Sequence, residues 1–113
     1  YLSMTYTIDY YSPDIQEQIL TLPDGLAGRY VILTKRMKQV GANLHEPHTK
    51  AMGDGLFELR LKASEGIARV FYCTLVGKRI VMLHSFVKKT DKTPPDDLRL
   101  AIKRMKEVKN ANT

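Results

Sequence analysis

Cysteine is almost missing from this chain. Cys73 is the only one in 113 residues, which excludes an internal disulfide framework and fits a reducing cytosol. Long apolar runs are missing too. None approaches the ~20 residues a membrane-spanning helix needs, and no signal-peptide pattern is visible, so the expectation is a cytoplasmic protein with no membrane partner. Apolar residues as a class are not scarce. With 43% hydrophobic and 27% charged residues, the chain reads as one ordinary domain that buries a core without disulfide staples. Acidic residues run short in one region only. Residues 1–77 set eight basic side chains against eight acidic ones, whereas residues 78–113 carry ten against four. The whole net charge of +6 therefore lies in the last third, where it attracts polyanions without specifying a fold.

Met4 reads as a native start, with Tyr1–Ser3 an appended remnant. Thr5–Tyr11 is β-branched and aromatic, a strand. Ser12-Pro13-Asp14 is a helix start, with Ser as N-cap, Pro in the first turn and Asp against the positive helix end. This short helix carries Ile15 and Ile19 and ends before Pro23. After a turn at Asp24-Gly25, the residues Leu26, Tyr30, Leu33, Met37 and Val40 follow at steps of four, three, four and three, one helical face. Gly41 is the stop. The pair makes an αα-hairpin. Residues 41–55 read as loop, broken by Pro47, Gly53 and Gly55.

The period then changes to two. Phe57, Leu59 and Leu61 alternate with Glu58, Arg60 and Lys62, and the runs 67–76 and 79–87 follow with short connections, the pattern of consecutive hairpins. Thr93-Pro94-Pro95-Asp96-Asp97 starts a last helix with Leu98, Ala101, Ile102 and Met105 as its stripe. Turns at Ser64-Glu65 and Gly77-Lys78 place Arg60 opposite Arg69, Glu58 opposite Phe71, Phe71 opposite His84 and Arg69 opposite Phe86. By alternation, Phe57, Leu59, Leu61, Ala68, Val70, Tyr72, Val81, Leu83 and Ser85 share a core face. The other face collects Arg60, Lys62, Arg69, His84, Lys88 and Glu58, with Ile67, Phe71 and Phe86 between them. Directly opposed like charges on a sheet cost up to roughly 1 kcal/mol. Arg60 opposite Arg69 therefore means screening by Glu58 and other acids, a register slipped by one, or an incoming phosphate, which guanidinium forks grip with paired donors. Phe71 and Phe86 are the rings that would stack on bases.

Other chemistry is thinly represented. His45-Glu46-Pro47-His48 sets two imidazoles three apart, but Pro47 disfavours the helix that would align them on a metal, and Cys73 is remote in sequence. There is no phosphate-cradling glycine loop and no serine elbow. No metal and no cofactor is called for.

The order strand, helical hairpin, three antiparallel strands and terminal helix resembles the RelE/ParE superfamily of bacterial toxins. The segments Gly55–Arg60, Gly66–Tyr72 and Ile80–Pro94 resemble its phage-derived, HigB-like branch. Arg69-Val70-Phe71-Tyr72 and Phe86-Val87-Lys88-Lys89-Thr90-Asp91-Lys92-Thr93-Pro94 are the most specific parts. The resemblance implies an α+β, RelE-like fold over one toxin domain, residues 5–108, with a frayed tail at 109–113. It also implies an mRNA interferase, in which basic residues orient RNA, activate a 2′-hydroxyl and protonate the leaving 5′-oxygen.

Carried over by position, Arg60, Arg69 and Lys89 form the implied catalytic set, and His84 is a reserve base because other HigB-like toxins use a histidine. Lys62, Lys88 and Lys92, with Phe71 and Phe86, complete an RNA-binding face. The sequence departs from the pattern at Glu58, where relatives carry a lysine, and at Pro94-Pro95, where they carry a stacking tyrosine. The implied partners are a helix-turn-helix antitoxin and mRNA, free or on the ribosome. The alternatives are a ParE-like toxin that binds gyrase and cleaves nothing, and a non-catalytic RNA-binding module.

Overall fold

The two-residue turn Ser64-Glu65 organises the sheet. It joins β3 (Leu56–Ala63) to β4 (Gly66–Leu75), pairing Ala63 with Gly66, Arg60 with Arg69 and Glu58 with Phe71, the register expected from the sequence. In this computed structural model, which describes residues 5–89 and 91–112, the fold is α+β. β1 (Thr7–Tyr10), α1 (Pro13–Leu20), α2 (Asp24–Val40), β2 (Thr49–Gly53), β3, β4, β5 (Arg79–Val87) and α3 (Pro95–Ala111) follow in chain order. The sheet runs β1-β5-β4-β3-β2, with β1 parallel to β5 and the other pairs antiparallel. The remnant assigned to residues 1–3 lies outside the described residues.

Helix boundaries follow local chemistry. The Ser12 hydroxyl accepts from the Ile15 N–H at 3.3 Å at the start of α1. α2 ends at Gly41, whose φ of 116° is left-handed backbone that a side chain would strain. Ile15, Ile19, Leu26, Leu33 and Met37 from the two helices are buried against Leu59, Leu61, Val70, Tyr72, Ile80 and Met82 of the sheet. Each such aliphatic side chain stabilises the fold by about 1.5–3 kcal/mol when fully buried. Val40, the last member of the expected stripe, is exposed. α3 covers the opposite face, packing on β4 and β5 over Phe71, Cys73, Val81 and Leu83.

Three expectations are corrected. Residues 49–53, read as loop, form edge strand β2, with Thr49 opposite Leu59 and a bulge between Ala51 and Gly53. The strand is short and bulged, so it shows no alternation that sequence periodicity could detect. The second hairpin turn is one residue longer than expected, Leu75 pairing with Arg79. A bulge at Leu83 restores Phe71 opposite His84 and Arg69 opposite Phe86. In consequence Val81 and Leu83 face α3, not the α1–α2 core. Arg104 of α3 ties this bulge down, donating to the Leu83 carbonyl at 2.9 Å. Finally, the segment from residue 109, read as a frayed tail, is helical as far as Ala111. Lys109 donates to the Asp54 carbonyl at 3.3 Å, and Arg79 donates to the Asn112 side chain at 3.0 Å.

Candidate RNA-binding groove

α3 covers only part of its face of the sheet. Beyond it, β3 and β4 present Arg60, Lys62, Ile67 and Arg69, and these line an open groove of about 530 Å³ with Arg29 of α2 and with Pro47 and His48 of the segment before β2. Four cations and an imidazole thus converge from three parts of the chain far apart in sequence.

A buried carboxylate holds the pair at its floor. Glu58 is 2% exposed; its Oε1 lies 3.2 Å from Arg60 Nε and 3.5 Å from Arg69 Nε. Its Oε2 accepts from the Thr93 hydroxyl at 3.4 Å. Arg60 also reaches Glu46 on the rim, Nη1 to Oε1, at 3.3 Å. The screening that the sequence offers as one answer to the Arg60–Arg69 clash is therefore present. It is incomplete: Arg69 Nε is buried without a hydrogen-bond partner. Burial pulls the Arg69 guanidinium below its ordinary pKa, the Glu58 charge opposes that, and Arg60 adds to it. Arginine nonetheless stays charged at neutral pH, leaving a desolvated cation facing a groove, where an anion gains more than it would in water.

The other expected site residues fall into three groups. Lys88 and Lys89 sit beside the groove, lining a shallow depression with Ile67 and Asp91; the Lys88 N–H extends the ladder to the Ile67 carbonyl at 2.8 Å. Lys92 follows on the exposed segment before α3. Phe86 lies half-buried opposite Arg69, its ring 5.7 Å from that of Phe71 and 6.0 Å from that of His84. Phe71 is a correction: it is fully buried under α3 and has no ring face left for a base. His84 is engaged in the fold. Its Nε2 lies 2.5 Å from Asp97 Oδ1 in the first turn of α3, and its Nδ1 is buried with no partner, so neither ring nitrogen opens onto the groove.

Sequence reasoning missed Arg29, His48 and Asp97. Local spacing presents His48 only as half of a metal pair. Arg29 carries no local signal beyond lying off the apolar stripe of α2.

The family profile described as Phage derived protein Gp49-like (DUF891) matches residues 17–106, a span running from α1 into α3 and holding every residue of the groove. The chain belongs to this family. Gp49-like proteins fall in the RelE/HigB toxin-like group and are generally toxins of toxin–antitoxin systems, so an antitoxin partner is implied. No curated protein matches the chain. Among the described residues no helix is long and apolar enough to cross a membrane.

Proposed function

We propose that this Gp49-like toxin is an endoribonuclease of the HigB kind that cleaves mRNA in the cytoplasm, free or on the ribosome, and is neutralised by a helix-turn-helix antitoxin. The observation that carries the reading is the Arg60–Arg69 pair at the floor of the groove, with Arg69 desolvated and one of its donors unused. RNA brings its own nucleophile, the 2′-hydroxyl. A protein that cleaves it has three tasks: to hold the phosphodiester for in-line attack, to stabilise charge on the phosphoryl oxygens, and to move two protons. Paired guanidiniums perform the first two. Lys62 adds charge on the same wall, Lys88, Lys89 and Lys92 continue the basic track for the flanking strand, and Phe86 offers a partly open ring beside it. The products are a 2′,3′-cyclic phosphate and a 5′-hydroxyl.

The test is incubation of purified toxin with a defined mRNA, alone and in a translating ribosomal complex, followed by end-group analysis. Cyclic-phosphate ends that disappear with Arg69→Ala support the reading. Intact RNA in both settings, with DNA damage in cells instead, supports the gyrase-binding alternative.

A further inference from the structure

The groove needs a group that can accept a proton, and most of its residues cannot serve. Arg60, Arg69 and Arg29 are guanidiniums that keep their protons. Lys62 is a cation. Both Glu58 oxygens are taken up by Arg60, Arg69 and Thr93, and both His84 nitrogens are closed off. His48 is the remaining groove residue of suitable chemistry.

We propose that His48 takes the proton from the attacking 2′-hydroxyl and that Arg29 holds the phosphodiester from the α2 side; this rests on the nuclease reading above. The backbone of His48 is fixed. The Arg60 N–H donates to its carbonyl at 2.8 Å, and its own N–H donates to the His45 carbonyl at 3.0 Å. The ring is therefore carried at a set place beside Arg60 while its nitrogens remain available. The charged groups around it are Arg29 and Arg36 of α2, Arg60 and Lys62 of β3, Arg69 of β4, and Glu46 in its own segment, paired with Arg60. Desolvation first, then Arg36 and Arg29, lower the His48 pKa, so at neutral pH the imidazole carries no charge and can accept. A bound phosphodiester offsets those cations, which makes the ring more basic once substrate is in place.

In the reaction, a ring nitrogen takes the 2′-hydroxyl proton as that oxygen bonds to phosphorus. The bond from phosphorus to the 5′-oxygen breaks, and the 5′-oxygen takes a proton from the Lys62 ammonium. His48 then returns its proton to solvent and Lys62 regains one, so no co-reactant is consumed.

The experiment compares wild type, His48→Gln and Arg29→Ala for cleavage of an oligoribonucleotide, free and ribosome-bound, and for binding of its uncleavable 2′-O-methyl counterpart. His48→Gln should cut cleavage by about 100-fold or more while binding changes by less than about threefold. It should also abolish the acidic limb of the wild-type kcat/KM–pH profile, which reports the free toxin and whose midpoint falls below the ordinary histidine value of about 6.5. Arg29→Ala should weaken binding and keep that limb. Wild-type cleavage by His48→Gln, or parallel loss of binding and cleavage in that variant, overturns the proposal and leaves the nuclease reading standing. A wild-type toxin that binds the 2′-O-methyl strand but never cuts its ribose counterpart overturns both.

Discussion

Arg60 and Arg69 stand opposite each other on adjacent antiparallel strands and share one oxygen, Glu58 Oε1, at 3.2 and 3.5 Å. One negative charge beneath two positive ones leaves a net cation at the sheet surface, and Glu58 is too deeply enclosed to be displaced by solvent. The arrangement keeps two guanidiniums together in the absence of substrate, so the ordering cost is met on folding and not on binding.

Glu58→Gln keeps the volume and removes the charge. Breaking a well-buried pair costs 3–5 kcal/mol; with Arg60 28% exposed and partly screened, about 2–3 kcal/mol is expected here. Urea unfolding with and without inorganic phosphate checks this. Phosphate should recover more stability in the variant than in wild type, and equal midpoints for the two proteins would show that the arginines do not need their carboxylate.

Binding of single-stranded RNA should weaken steeply with salt. Each neutralised phosphate contributes about 0.7 to the log–log slope, so four contacts give roughly −3. Arg69→Ala should flatten the slope by about 0.7 and lower cleavage by about 100-fold or more, as loss of a transition-state charge stabiliser does. Lys89→Ala, beside the groove, should flatten the slope to a similar degree. A slope that does not respond to either change would place the RNA elsewhere.

His84 and Asp97 join β5 to the first turn of α3. His84→Ala should cost about 1–3 kcal/mol of stability by leaving Asp97 without its partner, while cleavage per folded molecule stays within about threefold of wild type. Thermal melts and initial rates on the same samples separate the two effects. A collapse in rate at unchanged stability would restore His84 as a base.

Alkaline pH should loosen the α1–α2 side of the sheet. Tyr30 and Tyr72 have pKa values pushed well above 10, chiefly by burial. For groups raised on folding, stability is complete below the unfolded value of about 10 and is lost as pH climbs from there towards the folded value. Tyr72→Phe should lessen that alkaline loss, at a constant cost of about 1 kcal/mol for the bond its hydroxyl donates to the Ala42 carbonyl. Denaturant midpoints at pH 8 and pH 11 measure both; the same alkaline loss in the variant would rule Tyr72 out as a source.

Local chemistry alone carries much of this fold. Four-and-three spacing from Leu26 to Met37 is enough for α2, and Ser12-Pro13 for the start of α1. The Ser64-Glu65 turn sets the β3–β4 register and with it the pairing of Arg60 with Arg69, because alternation along a strand has no freedom once the turn is placed. The same logic failed at β5. There a longer turn and the Leu83 bulge offset each other, and the bond that Arg104 makes to the bulged carbonyl comes from a distant helix that local spacing does not register.

The site divides along the same line. Arg60, Lys62 and Arg69 belong to one hairpin, and the sequence by itself determined that they share a face. Whether that face was open depended on how far α3 reaches, and this buried Phe71 and tied His84 to Asp97 while leaving Arg69 at the groove floor. Arg29 and His48 entered only through tertiary structure. They lie on a helix and in a segment whose local sequence is silent about the sheet, and what brings them to Arg60 is the packing of α2 on one side and the pairing of β2 with β3 on the other. Such contacts arise from burial and backbone hydrogen bonding between elements distant in the chain, which no local spacing encodes.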